Sequence, residues 1–260
     1  MPAHTASARP GRKAFGVTAA VTAAVTAAVT TGFLLVGCSL PGGTSRSLTA
    51  DDTVTEAVTA VEVTDARRGS IEVTPGAGPG ARVHRTVHYR GEATPEPGRR
   101  VSDGVLGFTA GCADSCWVDY RLEVPASAKV RLDSSSGRIT VAGVAAAEVT
   151  SGSGDVRAER ITGPLRIRTA SGDIEATALR APDAEIRSAS GDATVGFAAP
   201  PASLSVTTTS GDVRARLPGG PYEVTASTAS GDRDVTLAST PDAPSRLSFR
   251  TTSGDLHVSG

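Results

Sequence analysis

From Val130 to the C-terminus, apolar residues recur at every second position in short runs, broken at near-regular intervals by the phrase Ser-Gly-Asp. The phrase stands at Ser153-Gly154-Asp155, Ser171-Gly172-Asp173, Ser190-Gly191-Asp192, Ser210-Gly211-Asp212, Ser230-Gly231-Asp232 and Ser253-Gly254-Asp255, with a first copy, Ser136-Gly137-Arg138, that carries arginine in the third place. Successive serines are 17, 18, 19, 20, 20 and 23 residues apart. Six places before the serine stand Val130, Ala147, Leu165, Ala184, Leu204, Val224 and Leu247; four before it stand Leu132, Val149, Ile167, Ile186, Val206, Ala226 and Phe249. After the phrase come Ile139, Val156, Ile174, Ala193, Val213, Arg233 and Leu256, and the residues in between are Arg, Glu, Thr, Asp and Ser. Period two with one apolar face is a half-buried strand. Each unit therefore predicts a strand, a corner at the phrase, a second strand and a return loop, with Gly163-Pro164, Pro182, Pro200-Pro201, Pro218-Gly219-Gly220-Pro221, Pro241 and Pro244 punctuating the loops.

A unit of this size cannot bury its own apolar face, whereas stacked copies build a continuous core and pair each backbone with the coils above and below. The expected fold is all-β: a β-solenoid (single-stranded β-helix-like) of coils of about 17–23 residues, preceded by less regular strands. The glycines Gly137, Gly154, Gly172, Gly191, Gly211, Gly231 and Gly254 are expected where the corner takes positive φ or brings coils close. The hydroxyl residue two places before each phrase (Ser134, Ser151, Thr169, Ser188, Thr208, Thr228, Thr251) should form a ladder that satisfies corner groups. Asp155, Asp173, Asp192, Asp212, Asp232 and Asp255 form a column of like charge. Either each caps its own corner by accepting nearby backbone N–H groups, or the column binds Ca²⁺. Calcium-binding nonapeptide repeats carry Gly-Gly-x-Gly-x-Asp, which is absent here, and one aspartate per coil offers few oxygens, so neither a metal nor another cofactor is expected. Arg233 is a departure at an otherwise apolar position, marking local fraying or a carboxylate partner.

Residues 58–125 alternate less cleanly. Val61 and Val63, a turn at Arg68-Gly69-Ser70, then Ile71 and Val73 read as an early copy with Gly69 at the corner. Val83, Val87 and Tyr89 suggest one further strand, Val105, Leu106 and Phe108 another, and Cys116, Val118, Tyr120, Leu122 and Val124 keep period two until Pro125. In an exported chain Cys112 and Cys116 form a disulfide; a redox pair or half of a metal site are the alternatives. His84 and His88 are the local candidates for completing a metal site, but beside Arg82, Arg85 and Arg90 they fit a solvated strand face.

The first 37 residues stand apart: Arg9, Arg12 and Lys13, then an apolar run from Ala14 to Val36, describe a secretory signal peptide, with an uncleaved anchor helix as the rival. Leu35-Val36-Gly37-Cys38 resembles the lipobox of bacterial lipoproteins. That resemblance implies cleavage after Gly37 and a diacylglycerol on the Cys38 thiol. Either way everything after Cys38 is exported. Removing 1–37 leaves 23 basic against 27 acidic residues, a net charge of −4 against −1 for the whole chain, which disfavours nucleic-acid binding. The organisation expected is a signal peptide over 1–37, lipidated Cys38 and a flexible tether over 38–57, an irregular β region over 58–125, and the repeat solenoid over 126–260.

Asp103-Gly104-Val105-Leu106 before Cys112, the segment Leu122-Glu123-Val124-Pro125 and the Ser-Gly-Asp ladder together resemble a bacterial family of putative adhesins with β-solenoid domains, over roughly residues 58 to 260. The resemblance implies an exported, anchored, non-enzymatic solenoid on the extracytoplasmic face of the cell membrane, and it brings no catalytic residues. The expected role is a surface scaffold binding a protein or an envelope polymer, with self-association through the C-terminal edge as one mode. The alternatives are an envelope-sensing or accessory subunit of a membrane complex and, further off, a β-helix enzyme acting on polysaccharide, for which the regular aspartate column is a poor match.

Overall fold

The structure is a computed structural model and describes residues 45–64, 66–111 and 116–260. The strands are β1 (Ser45–Val54), β2 (Ala60–Val63), β3 (Ile71–Gly76), β4 (Ala81–Arg90), β5 (Gly98–Ser102), β6 (Val105–Thr109), β7 (Trp117–Pro125), β8 (Lys129–Ser134), β9 (Ile139–Ala142), β10 (Ala146–Ser151) and β11 (Val156–Glu159). They continue with β12 (Leu165–Ser171), β13 (Ile174–Leu179), β14 (Asp183–Ser190), β15 (Ala193–Phe197), β16 (Ser203–Ser210), β17 (Val213–Arg216), β18 (Tyr222–Ser230), β19 (Arg233–Val235), β20 (Ser245–Ser253) and β21 (Leu256–Ser259). Every element among the described residues is a strand.

The expected all-β solenoid is what the chain forms. Each coil gives one strand to each of two facing sheets, joined at the Ser-Gly-Asp corner. Sheet A runs β1-β4-β7-β3-β9-β11-β13-β15-β17-β21-β19, and sheet B runs β18-β20-β16-β14-β12-β10-β8-β2-β6-β5. Stacked coils pair in parallel and in register, with one irregularity between β13 and β15: Val149 stands beside Leu132 and Ile167, and Val156 beside Ile139 and Ile174. Period two turns those columns inward, so Leu132, Ile139, Ile167, Ile174, Val206 and Leu256 are each at most 1% exposed. The Gly69 copy is the first coil, with β2 beside β8 and β3 beside β9.

Three expectations are corrected. The coils do not stack in chain order: the final coil (β20, β21) lies between the coil of β16 and β17 and the coil of β18 and β19, paired on both sides. The open end therefore belongs to residues 222–235, and the C-terminal strand is not an edge. The physical reason is apolar content. The last unit carries Leu247, Phe249, Leu256 and Val258, all at most 2% exposed, whereas the unit before it carries Val224, Ala226, Arg233 and Val235, and gains less from being covered.

Secondly, residues 45–54, assigned to the tether, form β1, a ten-residue strand paired antiparallel with β4. Its Leu48 and Val54 alternate with polar residues and pack against the core. Thirdly, Arg85 is not on the solvated face of β4. It lies between Val83 and Val87 on the inner face and is 2% exposed. Its guanidinium pairs with Asp52, donates to the carbonyl of Gly98 at 2.8 Å and lies 5.8 Å from the Phe108 ring centre. The signal segment, Cys38, residues 39–44 and Cys112 lie outside the described residues. Cys116 is buried just ahead of β7.

Candidate functional site

The corner is built by three side-chain positions. At the repeat glycine, successive coils approach so closely that a Cβ on Gly211 would run into the carbonyl oxygen of Gly191, and one on Gly137 into that of Gly69. Gly172, Gly191, Gly211, Gly231 and Gly254 also take positive φ, whereas Gly137 and Gly154 answer only to the close approach. Two places before the phrase, the hydroxyls bond corner carbonyls rather than one another: Ser151 Oγ donates to Gly154 O at 2.8 Å, Thr169 Oγ1 to Ser171 O at 2.9 Å, and Thr251 Oγ1 to Gly211 O at 3.2 Å. Ser188 Oγ is buried without a hydrogen-bond partner.

The aspartates cap across coils, not within them. Asp192 N donates to Asp173 Oδ1 at 2.9 Å, Asp212 N to Asp192 Oδ1 at 2.8 Å, Asp255 N to Asp212 Oδ1 at 2.9 Å and Asp232 N to Asp255 Oδ1 at 2.8 Å. Asp155 receives Asp173 N at 3.3 Å and faces Arg138 of the first copy at 3.6 Å. The N–H of Asp255 is the main reason the Asp212 carboxyl is held below its ordinary value; slight burial opposes it, and Arg214 at 3.0 Å adds to it. Among the described residues no three His, Cys, Asp or Glu side chains converge as a metal-binding group. The column is a chain of backbone caps.

One constellation was missed by sequence reasoning. Asp119 on β7 accepts hydrogen bonds from Ser70 N at 2.7 Å and Ser70 Oγ at 2.8 Å, and its other oxygen lies 2.8 Å from His88 Nε2. His88 in turn stacks on Trp117, with ring centres 5.0 Å apart, and Arg68 lies 4.8 Å from the same indole centre. Burial works to raise the Asp119 carboxyl, but the bonds from Ser70 and His88 outweigh it and hold the group below its ordinary value. Serine, aspartate and histidine are all present, yet in the wrong order for nucleophilic catalysis. The hydroxyl gives its proton to a weakly basic carboxylate, and the imidazole does not reach it. The cluster ties the first corner to β7 and β4. Its one sequence signal was the shared outward face of His88 and Asp119, on strands whose pairing the sequence did not show.

The outer faces of the sheets hold the remaining chemistry. On sheet B a groove of about 800 Å³ crosses the strands from β2 to β16 and is lined in part by Glu62, Arg131, Glu148, Arg166, Glu185 and Ser205. Those six side chains share one row of the register. Arg131 lies 3.8 Å from Glu148, and Arg166 3.3 Å from Glu185. The histidines at the ends of sheet A pair with carboxylates on the neighbouring strand, His84 with Asp51 at 2.6 Å and His257 with Asp234 at 2.9 Å.

A family model described as Toastrack DUF4097 matches residues 118–259. No curated protein matches the chain. Among solved structures it is similar to a putative adhesin from Bacteroides fragilis, with 12% identity and a TM-score of 0.50 over 83% of this chain and 97% of that one. A putative adhesin from Parabacteroides distasonis (13% identity, TM-score 0.40, 82% and 97% covered) and a putative cell adhesion protein from Clostridium sporogenes (8%, 0.35, 83% and 99%) are further matches.

Proposed function

For a chain that belongs to the Toastrack DUF4097 family, we propose the role of a non-catalytic binding scaffold, exported and held at the extracytoplasmic face of a bacterial membrane by a lipid on Cys38. The observation that carries the reading is the groove on sheet B: about 800 Å³, open to solvent and floored by parallel strands. An open trough that sets charged side chains among apolar surface suits an extended chain or a partner surface better than a small substrate, which an enclosed pocket would bury. The Ser70–Asp119–His88 cluster lacks the order that catalysis requires, and the aspartate column is occupied by backbone N–H groups. The names of the similar solved structures, putative adhesins and a putative cell adhesion protein, point the same way. A disulfide between Cys112 and Cys116 would close the loop that leads into β7.

Two measurements test the proposal. Replacing Cys38 by Ala should move the chain from the membrane to the soluble exported fraction; retention in the membrane sinks the lipid anchor. The purified full chain should co-sediment with isolated bacterial envelopes, and reversing charge along the groove with Arg131→Glu and Arg166→Glu should abolish this. Co-sedimentation indifferent to the groove would move the binding face elsewhere, and none at all would end the scaffold reading.

A further inference from the structure

We propose that sheet B carries, beside the groove, a strip that binds an extended phosphodiester polymer through Arg168, Arg187 and Arg250. The inference rests on the binding-scaffold reading and names its ligand. The register places Thr150, Arg168, Arg187, Thr207, Arg250 and Ser227 side by side on consecutive strands β10, β12, β14, β16, β20 and β18. This row runs along the solenoid axis and contains no acid over six strands. The neighbouring row, Glu62-Arg131-Glu148-Arg166-Glu185, alternates in sign and carries one acid more than it has bases.

Like charges directly opposite each other on neighbouring strands destabilise a sheet. Arg168 and Arg187 are such a pair, and among the described residues no other arginine stands opposite an arginine in a strand register. The acid that tempers them is Glu185 of the neighbouring row. It accepts from Arg187 at 2.7 Å and lies 3.3 Å from Arg166 and 3.6 Å from Arg168. Over the six strands the two rows carry Arg166, Arg168, Arg187 and Arg250 against Glu148 and Glu185, so two positive charges are left over. The Arg168 and Arg187 side chains remain 51% and 60% exposed, with donor edges open to water. Guanidinium forks match phosphate oxygens in geometry and charge.

Strand spacing sets the stations about 5 Å apart for Arg168 and Arg187, with Arg250 about 10 Å further on. That linear series fits a chain lying along the axis rather than a single headgroup. Thr150, Thr207 and Ser227 add hydroxyl donors in line. Tyr222 and Phe249, the aromatics of these strands, are both buried, so the face offers no platform for sugar rings or bases. A phosphodiester of a flexible polyol needs none.

The test is calorimetric titration of the purified full chain in detergent with poly(glycerol phosphate), between about 50 and 200 mM salt. With three phosphates engaged, log K should fall against log salt with a slope of about −2. The double variant Arg168→Gln/Arg187→Gln should lose at least about tenfold in affinity and most of that slope, while Arg157→Gln/Arg214→Gln on sheet A, with the same change in net charge, should alter neither. Should the first double variant melt below the wild type, Arg250→Gln alone carries the test, with an expected loss of about threefold. Equal losses from both double variants, or tighter binding of single-stranded DNA, a polyuronate or anionic vesicles, overturn the assignment. A chain that binds whole envelopes but not the polymer loses this ligand and keeps the scaffold reading; a chain that binds neither loses both.

Discussion

The two ends of the solenoid are closed by different means. At the N-terminal end the chain adds structure: β7, β4 and β1 extend sheet A, antiparallel from β7 outwards, while the β5–β6 hairpin extends sheet B. These strands carry their own apolar face, and Val83, Val87, Val118 and Leu106 are all at most 2% exposed. At the other end no full strand is added among the described residues, and only the 236–244 loop lies along part of β18. The coil of β18 and β19 is left outermost, with Val224, Ala226, Val235 and Leu237 only partly buried. One end is covered; the other is made cheap to leave uncovered. A parallel stack of near-identical coils needs both solutions, because an edge strand with bare N–H and C=O groups templates further pairing.

The two ends differ most in what the inserted coil buries. Phe249 sits between Val206 and Ala226 and is fully buried. Phe249→Ala should cost about 4 kcal/mol in urea unfolding, whereas Val224→Ala, two residues earlier in the same alternation but on the outermost coil, should cost less than about 1 kcal/mol. Equal losses would mean that the coils stack in chain order after all. At the N-terminal end the corresponding test is Arg85. Removing its guanidinium leaves Asp52 with only Arg99, at 3.5 Å, so Arg85→Ala should cost about 3 kcal/mol. The double variant Arg85→Met/Asp52→Leu should recover much of that, since apolar replacement of a whole buried pair is often close to neutral. A double variant as unstable as the single one would show that the pair specifies the way β1 docks.

The alternation of apolar positions made the solenoid, its corners and its inner columns legible. It also held more than was taken from it. Arg85 falls at an inward place in Ala81, Val83, Arg85, Val87 and Tyr89, and its charge, not its position, suggested the solvated face. The order of coils was not legible, because the later coils present nearly the same glycine, aspartate and apolar columns, and any neighbour among them satisfies the register. The traces of the exchange were the 23-residue step before Ser253 and the arginine at 233. Likewise the Gly-Asp corner could not reveal whether a carboxylate caps its own turn or the next. The cationic strip and the Ser70–Asp119–His88 cluster depend on which strands adjoin, which no single unit encodes.

The aspartate ladder also ends differently inside the stack and at its last rung. Asp212 lies inside the stack and caps Asp255, whereas Asp232 is the last rung and caps no further coil. Asp212→Asn should cost about 1 kcal/mol in unfolding free energy, and Asp232→Asn should change nothing beyond about 0.5 kcal/mol. The pH dependence follows from the sign of the shift. The folded carboxyl of Asp212 titrates below its ordinary value, so the folded state binds fewer protons than the unfolded state near that value. The stability this contributes is fully present above about pH 4 and is lost as the pH falls through the lowered folded pKa. The Asp212→Asn variant should show that much less acid sensitivity in thermal melts between about pH 5 and 2, and Asp232→Asn should melt as wild type throughout.

The smallest effect on stability, and the most telling about the open end, is expected at Arg233. Its place in the register is opposite Leu256, in a column that the coils from β3 to β21 fill with Ile, Val, Ala and Leu. On any inner coil a guanidinium there would be buried among apolar side chains at several kcal/mol. On the outermost coil it is exposed, and Nη1 donates to the carbonyl of Ala226 at 3.2 Å, lying across the end of the core. Ser239 Oγ takes the N–H of Val224 at 3.0 Å, and Thr240 N donates to Tyr222 O at 2.7 Å, so part of the β18 edge is occupied as well. Charge on an edge strand is the common guard against pairing with a second copy. Arg233→Val restores the repeat's own residue type and removes that guard. Monomer stability should change by less than about 0.5 kcal/mol, while light scattering of the full chain in detergent should show end-to-end dimers appearing with concentration. A variant that stays as monomeric as the wild type would show that the loop at 236–244 closes the end by itself, and that Arg233 is tolerated there rather than needed.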